Sequence, residues 1–125
     1  MIQVTEIAFI GYPVTDMSRA RAFYEGVLGL KTAATFDHEG KQWIEYDIAG
    51  ATLAITNMSP DWKPSTSGPG VALEVADFAA AMADLRAAGA KFIIEPMDSP
   101  VCHMAVVTDP DSNSVCLHRR HAAQV

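Results

Sequence analysis

Cysteine is scarce in this chain of 125 residues: Cys102 and Cys116 are too few for a disulfide framework. The expectation is a reduced, cytoplasmic protein. Basic residues are also few. Nine Lys and Arg stand against 15 Asp and Glu, a net charge of -6. That balance argues against a nucleic-acid partner, because phosphate binding needs clustered Lys and Arg. Long apolar runs are missing too, so no membrane span is expected. The start, MIQVTEIAFIGYP, has neither a basic n-region nor a small-residue cleavage site, so no signal peptide is expected. What the chain does hold is apolar residues, 50% of the total with 19% charged, which excludes a disordered polymer. Its length predicts a single domain over 1–125.

An internal repeat organises the chain. IAFIGYPV leads into Asp16 and MSRARAFYEGVLG; half a chain later VALEV leads into Asp77 and FAAAMADLRAAG. Each stretch reads as strand, cap, helix and stop. A carboxylate before the first turn accepts from its free N–H groups, and Gly29 and Gly89 suit the far ends. Met17, Ala20, Tyr24, Val27 and Leu28 recur at helical spacing, as do Phe78, Ala81, Met82, Leu85 and Ala88. Three strand signals follow the first helix, near 31–37, 43–48 and 52–56, and three follow the second, near 91–95, 102–108 and 114–118. The modules are thus expected over 4–57 and 70–120. A Pro-, Ser- and Gly-rich linker lies at 58–69 and a frayed tail at 121–125. The fold class is α+β: paired βαβββ modules forming a concave, partly open sheet with helices on its outer face. The open face is suited to holding something.

At these residues the chain resembles a known family. PVTDMSRARAFYEGVLGL is similar to the start of the first helix in the vicinal oxygen chelate superfamily, which includes glyoxalase I, bleomycin-resistance proteins, extradiol dioxygenases and methylmalonyl-CoA epimerase. VALEVADFAAAMADLRAAGA and VVTDPDSNSVCLH resemble its second helix start and closing hairpin. The resemblance implies up to four metal ligands, usually His, Glu or Gln, one on each of four strands of the open face. Matched by their spacing from Asp16, Asp77 and the DPD turn, and by the Leu53-Ala54-Ile55 step, those positions hold Phe9, Ala54, Gly70 and Cys116. Phe, Ala and Gly carry no side-chain donor, and one thiol falls short of the usual three protein ligands. Neighbouring registers at Phe9 and Gly70 offer no ligand either. No metal or other cofactor is therefore expected at the inherited centre.

Strand alternation then assigns the open face. Phe9 shares it with Gly11 and Pro13, Ala54 with Thr52 and Thr56, Gly70 with Ala72 and Glu74, and Cys116 with Ser114 and His118. Glu74 has two readings. In one it is a general base or ligand acceptor with its pKa raised by desolvation; in the other it is a rim carboxylate in water or a partner to an Arg. His118 is either a proton shuttle or hydrogen-bond donor to a ligand, or a half-solvated strand end. Cys116 and His118 stand about 7 Å apart along one strand, too far for direct activation of the thiol, so Cys116 reads as a small hydrophobe. Trp43 and Tyr46 fall on opposite faces, so one of them reaches the cavity. Trp62 is either a lid, or a surface anchor or subunit contact. Arg19 and Arg21 read as solvated and His121 as part of the tail. The face of His103 is open; with Glu74 and His118 it makes the one alternative metal trio.

Two functions follow. The first is metal-independent binding of a small organic molecule by Phe9, Trp43, Tyr46, Ala54, Trp62, Gly70, Glu74, Cys116 and His118. The second is a lyase, isomerase or dioxygenase that uses a relocated metal, or Glu74 as base with His118. The resemblance also implies a homodimer.

Overall fold

A computed structural model describes residues 1, 3 and 5–121. Val4, at the start of the expected first module, and residues 122–125 of the expected tail lie outside the described residues. Two compact units divide the chain, residues 1–63 and 64–125, and each has its own sheet.

The first unit runs β1 (Ile10–Pro13), α1 (Met17–Arg21) with a π-helical continuation (Ala22–Val27), β2 (Thr32–His38), β3 (Lys41–Ile48) and β4 (Ala51–Thr56). The strand order is β1-β4-β3-β2, with β1 parallel to β4 and the other pairs antiparallel. Asp16 caps α1: its Oδ1 accepts from the Arg19 N–H at 3.0 Å, and its own backbone is extended. The expected regular helix is corrected at its second half. The Leu28 N–H bonds the Phe23 carbonyl at 2.9 Å, five residues back, so one extra residue enters the turn. Phe23 and Tyr24 thereby both become buried. Both hairpins close with two residues in the left-handed region, Glu39-Gly40 and Ala49-Gly50, the twist that suits a tight antiparallel turn. One face of this sheet packs on the helix. Tyr12, Ile44, Tyr46, Leu53 and Ile55 lie there, all 3% exposed or less.

The second unit repeats the plan: β5 (Val71–Glu74), α2 (Phe78–Ala87), β6 (Phe92–Asp98), β7 (Cys102–Thr108) and β8 (Ser114–Arg120), in the order β5-β8-β7-β6. Asp77 Oδ1 caps α2 through the Ala80 N–H at 3.0 Å. Met82 and Leu85 of α2 are buried, as are Ala105, Val107, Val115 and Leu117 on one sheet face. The β7–β8 turn is built on a buried Asp109 whose Oδ1 accepts from the Asp111 and Asn113 N–H groups. Asn113 in turn accepts from the Ser65 N–H at 3.1 Å, which fixes the start of this unit to its last hairpin. The α+β class and the βαβββ repeat expected from the sequence are both present, and neither sheet closes into a barrel.

Candidate functional site

On the first sheet the register puts Gly11, Ala54 and Glu45 in one row across β1, β4 and β3, with Pro13, Thr56, Trp43 and Phe36 in the next row on the same face. This is the face away from the helix. Three aromatic rings gather on it. Phe9 meets Trp43 edge to face with centroids 5.0 Å apart, a geometry favoured by the ring quadrupoles. Trp62 folds back from the chain beyond β4 so that its Cη2 occupies the space beside Gly11. Trp62 and Phe9 remain 40% and 44% exposed, an apolar surface that water covers at a cost. Trp43 Nε1 donates to Glu45 Oε2 at 2.9 Å, so a carboxylate lies beside the rings. Nothing in the sequence pattern had singled out Glu45; its register with Ala54 is what brings it to this face. Ala54, expected to line the cavity, shares the face but is fully covered.

Tyr46 corrects its expectation. It lies on the helix side, stacked on Tyr24 at 6.3 Å and wholly buried. Its hydroxyl donates to Glu25 Oε2 at 2.8 Å, and Arg21 Nε donates to the same oxygen at 2.7 Å. Arg21 is therefore a partner in a half-buried network and not a solvated side chain. Burial first, and then the Glu25 carboxylate, push the Tyr46 phenol well above its usual range. The Arg21 hydrogen bond holds the Glu25 carboxyl below its own.

On the second sheet Ala72 and Glu74 pair with Cys116 and His118, so all four share the face away from α2, as alternation predicts. Gly70 precedes β5 and is exposed. His118 Nδ1 lies 2.5 Å from Glu74 Oε1, and the Arg120 N–H donates to Glu74 Oε2 at 2.8 Å. Arg119 reaches the same carboxylate only at 4.0 Å. Of the two readings of Glu74, the one with a raised pKa is not met. The His118 hydrogen bond first, then the Arg120 N–H, hold the carboxyl below its ordinary value, because Glu74 is solvated and both partners stabilise the charged form. A carboxylate this stable is a weak base. It instead holds the His118 ring in place through Nδ1, with Nε2 left on the far side of the ring. Cys116 is half-buried, and desolvation raises its thiol pKa, in keeping with a hydrophobe and not a nucleophile.

The Glu74–His103–His118 trio does not form. Met104, not His103, is opposite His118; His103 pairs with Arg119 and so points to the other face. There it joins Asp98 and His121. His121 is likewise held, not frayed: its N–H bonds the Val101 carbonyl at 3.0 Å and its Nε2 meets Asp98 Oδ1 at 2.6 Å.

As for the inherited metal centre, the chemistry of its donor set is decisive. Side chains of Phe, Ala and Gly offer no lone pair, which leaves the Cys116 thiol as a single donor. These residues do not fit a divalent cation.

A model of the Glyoxalase/Bleomycin resistance protein/Dioxygenase superfamily matches residues 6–117. No curated protein sequence matches the chain. Among solved structures, the antibiotic-binding protein TnmS3 from Streptomyces sp. CB03234 superposes with a TM-score of 0.78 at 24% identity, over 97% of this chain and 100% of that one. A glyoxalase/bleomycin resistance protein from Streptomyces sp. CB03234 gives 0.72 at 27% identity, over 90% and 98%. The fosfomycin resistance protein FosX from Listeria monocytogenes gives 0.72 at 12% identity, over 96% and 97%.

Proposed function

The chain belongs to the glyoxalase/bleomycin resistance protein/dioxygenase superfamily, and we propose on that premise that it binds a small, partly aromatic organic molecule without a metal at the inherited positions. The observation that carries this reading is the group of Phe9, Trp43 and Trp62 on the open face of the first sheet, with Glu45 beside them. Partly exposed rings gathered over one sheet face offer stacking area, and the carboxylate offers a directional acceptor. That an antibiotic-binding protein shares the fold supports the same class of ligand. Two free cysteines suit a reducing cytoplasm, and the family resemblance suits a homodimer. Among the described residues no helix is long and apolar enough to cross a membrane.

Tryptophan fluorescence titrated with bleomycin and with a panel of planar aromatic compounds tests the proposal. Saturable quenching by at least one compound is expected, weakened about tenfold by Trp62→Ala, the loss of roughly 1.4 kcal/mol of stacking. A flat response across the panel, or one divalent ion per chain whose uptake depends on Cys116 or His118, overturns it.

The Glu74–His118 pair favours one second reading, an enzyme of lyase or isomerase type. In it Glu74 positions the imidazole and His118 Nε2 moves the proton. Unchanged turnover of a confirmed substrate by Glu74→Gln and by His118→Gln removes it.

A further inference from the structure

Asp98, His103 and His121 come together on the α2 side of the second sheet, the face opposite Glu74, Cys116 and His118. The register explains the meeting. Asp98, the last residue of β6, pairs with His103 of β7, and His103 pairs with Arg119, two residues before His121. One donor atom from each of the three residues can be chosen so that all lie within 4.8 Å of one another. Asp98 Oδ1 is 2.6 Å from His121 Nε2 and 3.5 Å from His103 Nδ1. Metal–ligand bonds of about 2.0–2.2 Å put two ligands of one ion roughly 3–4 Å apart, so a small adjustment of solvent-facing side chains closes the set.

The surroundings hold the ligands in place. Phe78 stacks on the His103 ring at 5.4 Å and 23°, and the two imidazoles meet edge to face at 4.6 Å. Ser99 Oγ accepts from the Val101 and Cys102 N–H groups, which sets the bend between β6 and β7. The Ser99 carbonyl also faces His121 Nε2, at 2.9 Å. A cation seated at that nitrogen is held by the same carboxylate.

From this geometry we infer that Asp98, His103 and His121 bind a divalent first-row transition ion such as Zn²⁺, Co²⁺ or Ni²⁺. Two imidazoles and one carboxylate suit these ions over Ca²⁺ or Mg²⁺, which prefer all-oxygen shells. The ion bridges the β6–β7 bend to the end of β8. It lies on the other face of the sheet from Cys116 and His118, so its role is to fasten the closing strand. This inference does not rest on the proposed ligand function.

Calorimetric titration of the full chain with ZnCl₂ tests it. One ion per chain is expected, together with a rise in Tm on adding the ion. His121→Ala and Asp98→Asn are each expected to weaken binding at least tenfold and to abolish the Tm rise; His38→Gln should leave both unchanged. Asp98→Asn alters an exposed side chain, so it reports on binding even where His121→Ala perturbs the fold. Absence of uptake by the wild type overturns the inference. Uptake that survives both variants, or that is lost on Cys116→Ser instead, also overturns it.

Discussion

The indole of Trp62 fills the space that a side chain on Gly11 would need: a β-carbon there would meet Trp62 Cη2 at 2.6 Å and Phe9 Cε2 at 3.3 Å. Glycine at position 11 is thus part of the aromatic face and not merely a strand residue. Gly11→Ala is expected to expel Trp62 while leaving the sheet intact, because the ring belongs to a loop and β1 is bonded to β4. In a Trp43→Phe background, Trp62 emission should shift to the red and become open to acrylamide quenching. The stability loss in urea should sit near about 1 kcal/mol, the low end for overpacking. An unchanged spectrum removes the contact.

The Tyr46–Glu25–Arg21 network predicts two limits of pH stability. The Tyr46 phenol is raised above its ordinary value of 10.0 in the fold. Its contribution is therefore complete below pH 10 and is lost as the pH climbs through the raised value, since the unfolded chain gives up this proton first. The Glu25 carboxyl is lowered from 4.5, so its contribution is present above that pH and fades as the pH falls through the lowered value. Tyr46→Phe should flatten the alkaline limb and cost about 1–2 kcal/mol at neutral pH, the loss of a hydrogen bond to a charged acceptor. Denaturant midpoints across the pH range measure both limits; an unchanged alkaline limb in Tyr46→Phe contradicts the assignment.

Much of this was legible in the sequence for local reasons. Asp16 and Asp77 announce their helices because a cap acts within three residues. Period-two alternation places Glu74, Cys116 and His118 on one face because parallel register keeps cross-strand neighbours together. What was not legible depends on partners far apart in the chain. The buried position of Tyr46 depends on Tyr24 and Glu25 arriving from a helix whose π turn no periodicity announces. His103 could be assigned a face only by the β7–β8 register. Trp62 lies in a segment rich in loop formers, and its return to Gly11 is a packing event that composition does not encode.

Glu74 gives a second acid-side prediction with a local readout. Its carboxyl is held below 4.5 by the His118 ring and the Arg120 N–H. The bond between β5 and β8 that it supplies is therefore present above that pH and is lost as the pH falls through the lowered value. In wild type the Arg120 amide should keep its hydrogen-bonded chemical shift down to that point. Glu74→Gln should remove the pH dependence of this amide while leaving that of Glu25 in place. A titration of the Arg120 amide that is identical in the variant contradicts the pairing.

Cysteine reactivity distinguishes the binding reading from a thiol-based enzyme. Desolvation, with the nearby Cys102 second, raises the Cys116 thiol above its ordinary 9.0, so thiolate is scarce at neutral pH. Cys102 is buried. Native protein should therefore react slowly with iodoacetamide at pH 7, slower than free cysteine, and both sites should react together once the chain is unfolded in guanidinium. Cys116→Ser should change neither the stability by more than about 1 kcal/mol, as expected for a half-buried small side chain, nor the quenching by aromatic ligands. Rapid, selective alkylation of Cys116 at pH 7 would mean that a cation lowers its pKa, and would return the open face of the second sheet to consideration as a nucleophile's site.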